Sequence, residues 1–244
     1  MARLRRDGVT LLILAALVAG FLGGRGVATR LVKGTPVSAQ SIAGKTIVID
    51  PGHGGKDTGA QAADGTPEKE IVLAISHDLG KLLTAAGARV VMTRTADVEL
   101  ATPEEDRLGI RKASDLDRRV DITAKTKPDA MLSIHANWFS SSAYYGAQVF
   151  YHPDKNSENE ALAAAIQQAL KTHLGSTREA KVLTKQRVLK MCAQPACTVE
   201  VGFLSNPREA AKLKDPEYRR QVAWATFVGL AKYFAMEPPL RTGP

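Results

Sequence analysis

Short apolar runs and longer stretches with apolar residues at helical spacing follow one another along most of the chain. Residues 45–50 form a run of the buried-strand type that ends in Pro51-Gly52. Behind it, Ile71, Ile75, Leu79 and Leu82 recur at helical intervals between Pro67 and Gly87. This predicts a helix with Thr66 as N-cap and Pro67 at its first position. Strands are predicted over 89–94, 130–135, 147–151 and 196–201, and helices over 116–125, 157–173, 207–213 and 216–234. Residues 96–115 are polar and charged and read as a surface loop that rims something. Strands alternating with helices predict an α/β fold, a single layered domain with a central, mostly parallel sheet flanked by helices.

The N-terminus departs from this pattern. An Arg-rich start is followed from Val9 to about Gly23 by an uncharged apolar segment, so the chain is expected to be exported. The favoured reading is an uncleaved signal anchor with its Arg side cytoplasmic, although the segment is shorter than the roughly 20 residues a span usually needs. Cleavage among the small residues near its end, giving a secreted protein, is the alternative. The chain then divides into a start and anchor (1–33), a Gly/Thr/Pro/Ser linker (34–44), a folded domain (45–236) and a tail (237–244).

Charge adds little to that division. Residues 1–33 carry six basic residues and one acidic one, so +5 of the formal +8 belongs to the flanks of the apolar segment. The remaining +3 is a poor argument for nucleic acid. Cys192 and Cys197 lie close together, but a strand over Cys197 would not double back, so two free buried thiols are expected rather than a disulfide.

Chemistry concentrates at the ends of elements. His53 follows the first strand between glycines, which let the backbone approach a ligand closely. His135 closes the 130–135 strand, and Glu200 stands inside the apolar run Cys197-Thr198-Val199-Glu200-Val201-Gly202-Phe203. A buried carboxylate there needs a partner, either a salt bridge or a metal site. Glu68 and Glu70 share the first helical turn and point to different sides, and spacing alone leaves open which of them joins the histidines. Two imidazoles and a carboxylate form a zinc ligand set, with the fourth residue as base. Strand ends are also where an open α/β sheet places its ligands.

Four stretches, taken in order, resemble the zinc-dependent N-acetylmuramoyl-L-alanine amidases of bacterial cell walls. They are Ile49-Asp50-Pro51-Gly52-His53-Gly54-Gly55, Glu68-Lys69-Glu70-Ile71, Ser133-Ile134-His135-Ala136-Asn137 and Glu200-Val201-Gly202-Phe203-Leu204-Ser205-Asn206. The likeness runs from about residue 45 to 234 and is strongest to the spore-cortex branch. It implies His53, Glu68 and His135 as ligands of Zn2+, Glu200 as the catalytic carboxylate, and hydrolysis of the amide between N-acetylmuramic acid and L-alanine in peptidoglycan. Asn137 is a candidate for substrate contact or for orienting His135, with loop capping as the alternative. With only residues 136–145 between His135 and Gly146, no inhibitory helix of the kind some amidases insert is expected.

The resemblance also implies an extracytoplasmic enzyme. Its expected partners are peptidoglycan, the membrane through the N-terminal segment, and an activating protein. A zinc peptidase acting on wall stem peptides and a catalytically silent wall-binding protein are the alternatives. Arg118 and Arg119 read as solvated helix charges, with contact to substrate carboxylates as the alternative, His77, His152 and His173 as bystanders, and Trp138 as either packing or the lining of a glycan groove.

Overall fold

Thr46, Ile47, Val48 and Ile49 are β-branched, which suits them to extended chain, and they open strand β1 (Thr46–Pro51). The structure is a computed structural model that describes residues 39–153 and 157–236. In chain order, β1 is followed by α1 (Glu68–Ala85), β2 (Arg89–Met92), α2 (Pro103–Arg107), α3 (Arg111–Thr126), β3 (Ala130–Asn137) and β4 (Gln148–Tyr151). Then come α4 (Glu158–Leu174), β5 (Lys181–Val182), α5 (Arg187–Met191), β6 (Ala196–Phe203), α6 (Pro207–Lys214) and α7 (Pro216–Ala235). The six strands form one sheet in the order β2-β1-β3-β6-β4-β5. All neighbours are parallel except β4 and β6. The expected α/β domain with a mostly parallel sheet between helices is what these residues form.

The two faces of the sheet differ. Ile47, Ile49, Leu132, Ile134, Val199 and Val201 join the main core, with buried residues of α1, α4 and α7. The alternate residues face α3 and α5, and pairing sets them in rows across β1, β3 and β6. Val48, Met131 and Ala196 form an apolar row, Asp50, Ser133 and Thr198 a polar one, and His135 stands opposite Glu200. Because side chains alternate with a period of two, one face passes from hydrocarbon to chemistry within five residues.

Several expectations shift. Residues 96–115 are not a plain loop, because α2 lies within them and α3 begins at Arg111. A capping box explains α2, with the Thr102 side chain accepting from Glu105 N and Glu105 accepting from the Thr102 main chain. Helix α1 starts at Glu68, and Thr66 does not cap it. Glu68 N and Lys69 N donate to the carbonyls of Ala60 and Thr58, so backbone replaces a side-chain cap. The short β5 and α5 were not expected. Packing also begins before residue 45, with Ile42 fully buried and Ser41 Oγ donating to Ala231 O.

Residues 138–147 form turns without a helix. The expected signal anchor (1–33) and tail (237–244) lie outside the described residues. No helix among the described residues is long and apolar enough to cross a membrane.

Candidate metal centre

The sheet order places a switch point between β1 and β3. From β1 the chain turns outward to β2, and the later strands build on the other side of β3, leaving a crevice at their C-terminal ends. His53 follows β1 there, and His135 lies near the end of β3. Glu68, the first residue of α1, reaches between them. Its Oε2 is 3.2 Å from His53 Nε2 and its Oε1 is 2.9 Å from His135 Nδ1. One donor atom from each of the three lies within 4.8 Å of the others. The imidazoles meet edge to face with centroids 4.9 Å apart. Glu68 is buried, whereas Glu70 lies at the surface. Of the two carboxylates, Glu68 is the one that contacts both histidines.

Backbone and glycines build the cradle. Glu68 Oε2 accepts from Ala60 N and Oε1 from Ala136 N, both at 2.9 Å, which fixes the carboxylate plane. A Cβ on Gly52 would lie 2.3 Å from the His135 ring, and one on Gly59 2.6 Å from Glu68 Oε2 and 2.7 Å from His53 Cδ2. His53, flanked by Gly52 and Gly54, itself sits at φ +61°. For a non-glycine residue this costs about 1–2 kcal/mol, so the loop must be held from outside.

Two buried arginines hold it. Arg119 donates to the carbonyls of Pro51 (2.7 Å) and His53 (2.6 Å) and to the Asp50 carboxylate (2.7 Å), with Asp115 on its Nε. Arg94 donates to the carbonyls of Pro51, Gly52, Lys69 and Ala96. Asp50 also accepts from Thr93 and Ser133 hydroxyls. Burial alone would raise the Asp50 pKa, but Arg119 and these hydrogen bonds hold it below the ordinary range. The reading of Arg119 as a solvated charge is therefore corrected, since only 2% of it is exposed. The signal was Asp50, a carboxylate at the end of an apolar strand that required a buried cation.

Electrostatics fit a cation at the cluster. Burial opposes charge on Glu68, but the two histidines outweigh it and keep its pKa low. Burial likewise works against the His53 imidazolium, yet Asp57 and Glu68 raise its pKa to about 9. His135 is raised by Glu68 against the same burial. Asp57 Oδ1 stands 3.0 Å from His53 Nδ1, an ion-pair contact outside hydrogen-bond geometry. With Nδ1 facing this carboxylate, Nε2 is left to face Glu68. Glu200 differs: its Oε2 is buried with no hydrogen-bond partner among the described residues. Burial, reinforced by Glu68, raises its pKa to about 7. Two imidazoles, one ionised carboxylate and an adjacent unsatisfied carboxyl can hold a metal ion with a base beside it.

The remaining candidates separate. Asn137 closes β3, its carbonyl accepts from Leu204 N, and its side chain has no hydrogen-bond partner among the described residues. His77 contacts Thr95 O instead of the cluster, and Trp138 is 54% exposed rather than packed. Cys192 and Cys197 are both free, the first half-buried. Glu209, which the sequence reading passed over, accepts from Phe203 N at 3.0 Å and Gly146 N at 2.8 Å, tying the end of β6 to the start of β4.

Comparison with known proteins points to one family. The model of the N-acetylmuramoyl-L-alanine amidase family covers residues 47–232. The germination-specific N-acetylmuramoyl-L-alanine amidase of Bacillus subtilis is 38% identical over 201 residues, which is 81% of this chain and 84% of that protein. The CwlD amidase of Clostridioides difficile, solved in complex with the GerS lipoprotein, is 38% identical with a TM-score of 0.75, over 78% of this chain and 98% of that one. The catalytic domain of CwlV, an amidase of Bacillus (Paenibacillus) polymyxa var. colistinus, is 30% identical with a TM-score of 0.68, over 79% and 99%. The chain belongs to the N-acetylmuramoyl-L-alanine amidase family and is an amidase of the bacterial cell wall.

Proposed function

We propose that His53, Glu68 and His135 hold a zinc ion and that Glu200 is the catalytic carboxylate. The observation that carries this reading is the buried, unpartnered Oε2 of Glu200 on the strand paired with His135. A polar atom left bare in a dry site is costly unless it meets something transient. When bound, zinc supplies Lewis-acid polarisation of the scissile carbonyl and makes water ionisable near neutral pH. Glu200 takes the proton from the attacking water on its carboxylate and delivers it to the departing alanine nitrogen. Asp57 and the Ala60 and Ala136 amides keep His53 and Glu68 in their ligating orientation. Asn137 offers its free amide to the substrate.

The substrate is the amide between N-acetylmuramic acid and L-alanine, and the likeness to the germination-specific enzyme favours spore-cortex peptidoglycan. The protein works outside the cytoplasm, held by residues 1–33 as a signal anchor, with 34–44 as linker, 45–236 as catalytic domain and 237–244 as tail. That the CwlD amidase was solved with a lipoprotein supports a protein partner of that type. Metal analysis together with mass spectrometry of digested muropeptides tests the assignment. Glu200→Gln should retain about one zinc per chain and lose turnover by about 10²–10⁴-fold, while His53→Ala should lose both. A Glu200→Gln enzyme with near-normal turnover would overturn the role of Glu200.

A further inference from the structure

The loop between α4 and β5 brings a cation to the same edge as the ends of β3 and β6, because β4 and β5 start at that edge. This cation is Arg178. Its guanidinium carbon lies 4.9 Å from the Phe203 ring centroid and 5.5 Å from that of Tyr144. The two rings stack 6.0 Å apart, and Arg178 Nε donates to Tyr145 O at 2.8 Å. These contacts fix the side chain while using one N–H. Among the described residues, its terminal amino groups have no acceptor and no carboxylate lies within ion-pair distance.

The cations of the opposite rim are paired instead, Lys56 with Asp106, Lys69 with Asp97, Arg111 with Glu99 and Arg118 with Glu105. The acids on the Arg178 side are engaged elsewhere. Glu179 pairs with Lys171, and Glu209 accepts from the Gly146 and Phe203 amides. A guanidinium held against aromatic rings, with its outer fork open, is set for a bidentate carboxylate.

Distance selects which carboxylate. Phe203 lies three residues beyond Glu200 on β6, across a bulge that sets it opposite Asn137, so it is about 7 Å along the strand, with the guanidinium 4.9 Å further from its ring. About three residues of extended peptide cover the same reach. The glycan side of an N-acetylmuramoyl-L-alanine linkage is uncharged, whereas the peptide side carries carboxylates on its acidic residues and its terminus. We propose that Arg178 binds a carboxylate of the peptide portion, about two or three residues from the scissile amide, and so selects acidic stem peptides. This rests on the amidase reading and on Glu200 marking the reaction centre.

The test uses the full chain in detergent with added zinc and two synthetic muropeptides, one with free peptide carboxylates and one with them amidated. Arg178→Gln should raise KM for the free-carboxylate substrate by about tenfold or more, leave kcat nearly unchanged, and leave the amidated substrate unaffected. Arg178→Lys keeps the charge without the fork and should show the same selective loss in smaller measure, which preserves the test if the Gln variant unfolds. Equal losses on both substrates, or no loss on either, would overturn the proposal. Wild-type protein that cleaves these substrates between amino acids, releasing shortened peptide instead of the intact stem, would instead overturn the amidase reading, and this inference with it.

Discussion

Replacing Arg119 by methionine removes a buried cation while keeping most of its volume. Asp50 then loses its only ion-pair partner among the described residues, and the His53 carbonyl loses the Arg119 donor that holds it. Breaking one half of a buried pair typically costs about 3–5 kcal/mol, because the remaining charge is left uncompensated. At about 2–4 °C per kcal/mol for a chain of this size, the melting temperature should fall by about 10 °C. The sign with pH is also determined. In the wild type the lowered Asp50 pKa contributes stability above the unfolded value, and that contribution is lost as pH falls through the folded value. Without Arg119, burial outweighs the remaining Thr93 and Ser133 hydrogen bonds and raises the Asp50 pKa, so the destabilisation is present above the raised value and is relieved by acid. The stability gap between the two proteins should therefore narrow between pH 7 and about pH 4.5. Urea unfolding with a chelator present, followed by circular dichroism at both pH values, measures it. A second substitution, Asp50→Asn, added to Arg119→Met should recover about 1 kcal/mol or more at pH 7. A loss under about 1 kcal/mol for Arg119→Met, or a gap that does not change with pH, would refute the reasoning.

Further expectations concern the cradle. Asp57→Ala removes the carboxylate facing His53 Nδ1 and should weaken zinc binding by about 10–100-fold in a chelator competition; unchanged affinity would assign Asp57 no orienting role. Gly59→Ala puts a methyl group 2.6 Å from Glu68 Oε2 at a backbone φ of +65°. It should cost about 1–2 kcal/mol from backbone strain alone and lower zinc content, read by melting and metal analysis, and a fully zinc-loaded variant of normal stability would contradict the close packing described.

Most of the framework was legible in residues 45–236 because alternation and helical spacing are local properties. β1, α1, β3, α4, β6, α6 and α7 fall within a few residues of where their patterns put them. β5 and α5 escaped because two-residue and five-residue elements carry too little periodicity to stand out. α2 hid in a charged stretch, although the Thr102-Pro103-Glu104-Glu105 cap was there to read.

The chain by itself determined which side chains could do the chemistry, since histidines and glutamates next to strand ends and glycines are written in linear order. It could not separate Glu68 from Glu70 by spacing, nor tell Arg119 from a solvated charge. Those distinctions depend on strand register and on what packs over the sheet. Parallel pairing sets His135 opposite Glu200 and places Asp50 beneath them, and only then does Arg119 acquire a buried carboxylate and the His53 carbonyl to bind. Local sequence specifies elements and donor types. Convergence, burial and the choice among like charges arise from contacts between residues as distant in the chain as Asp50 and Ser133, 83 positions apart.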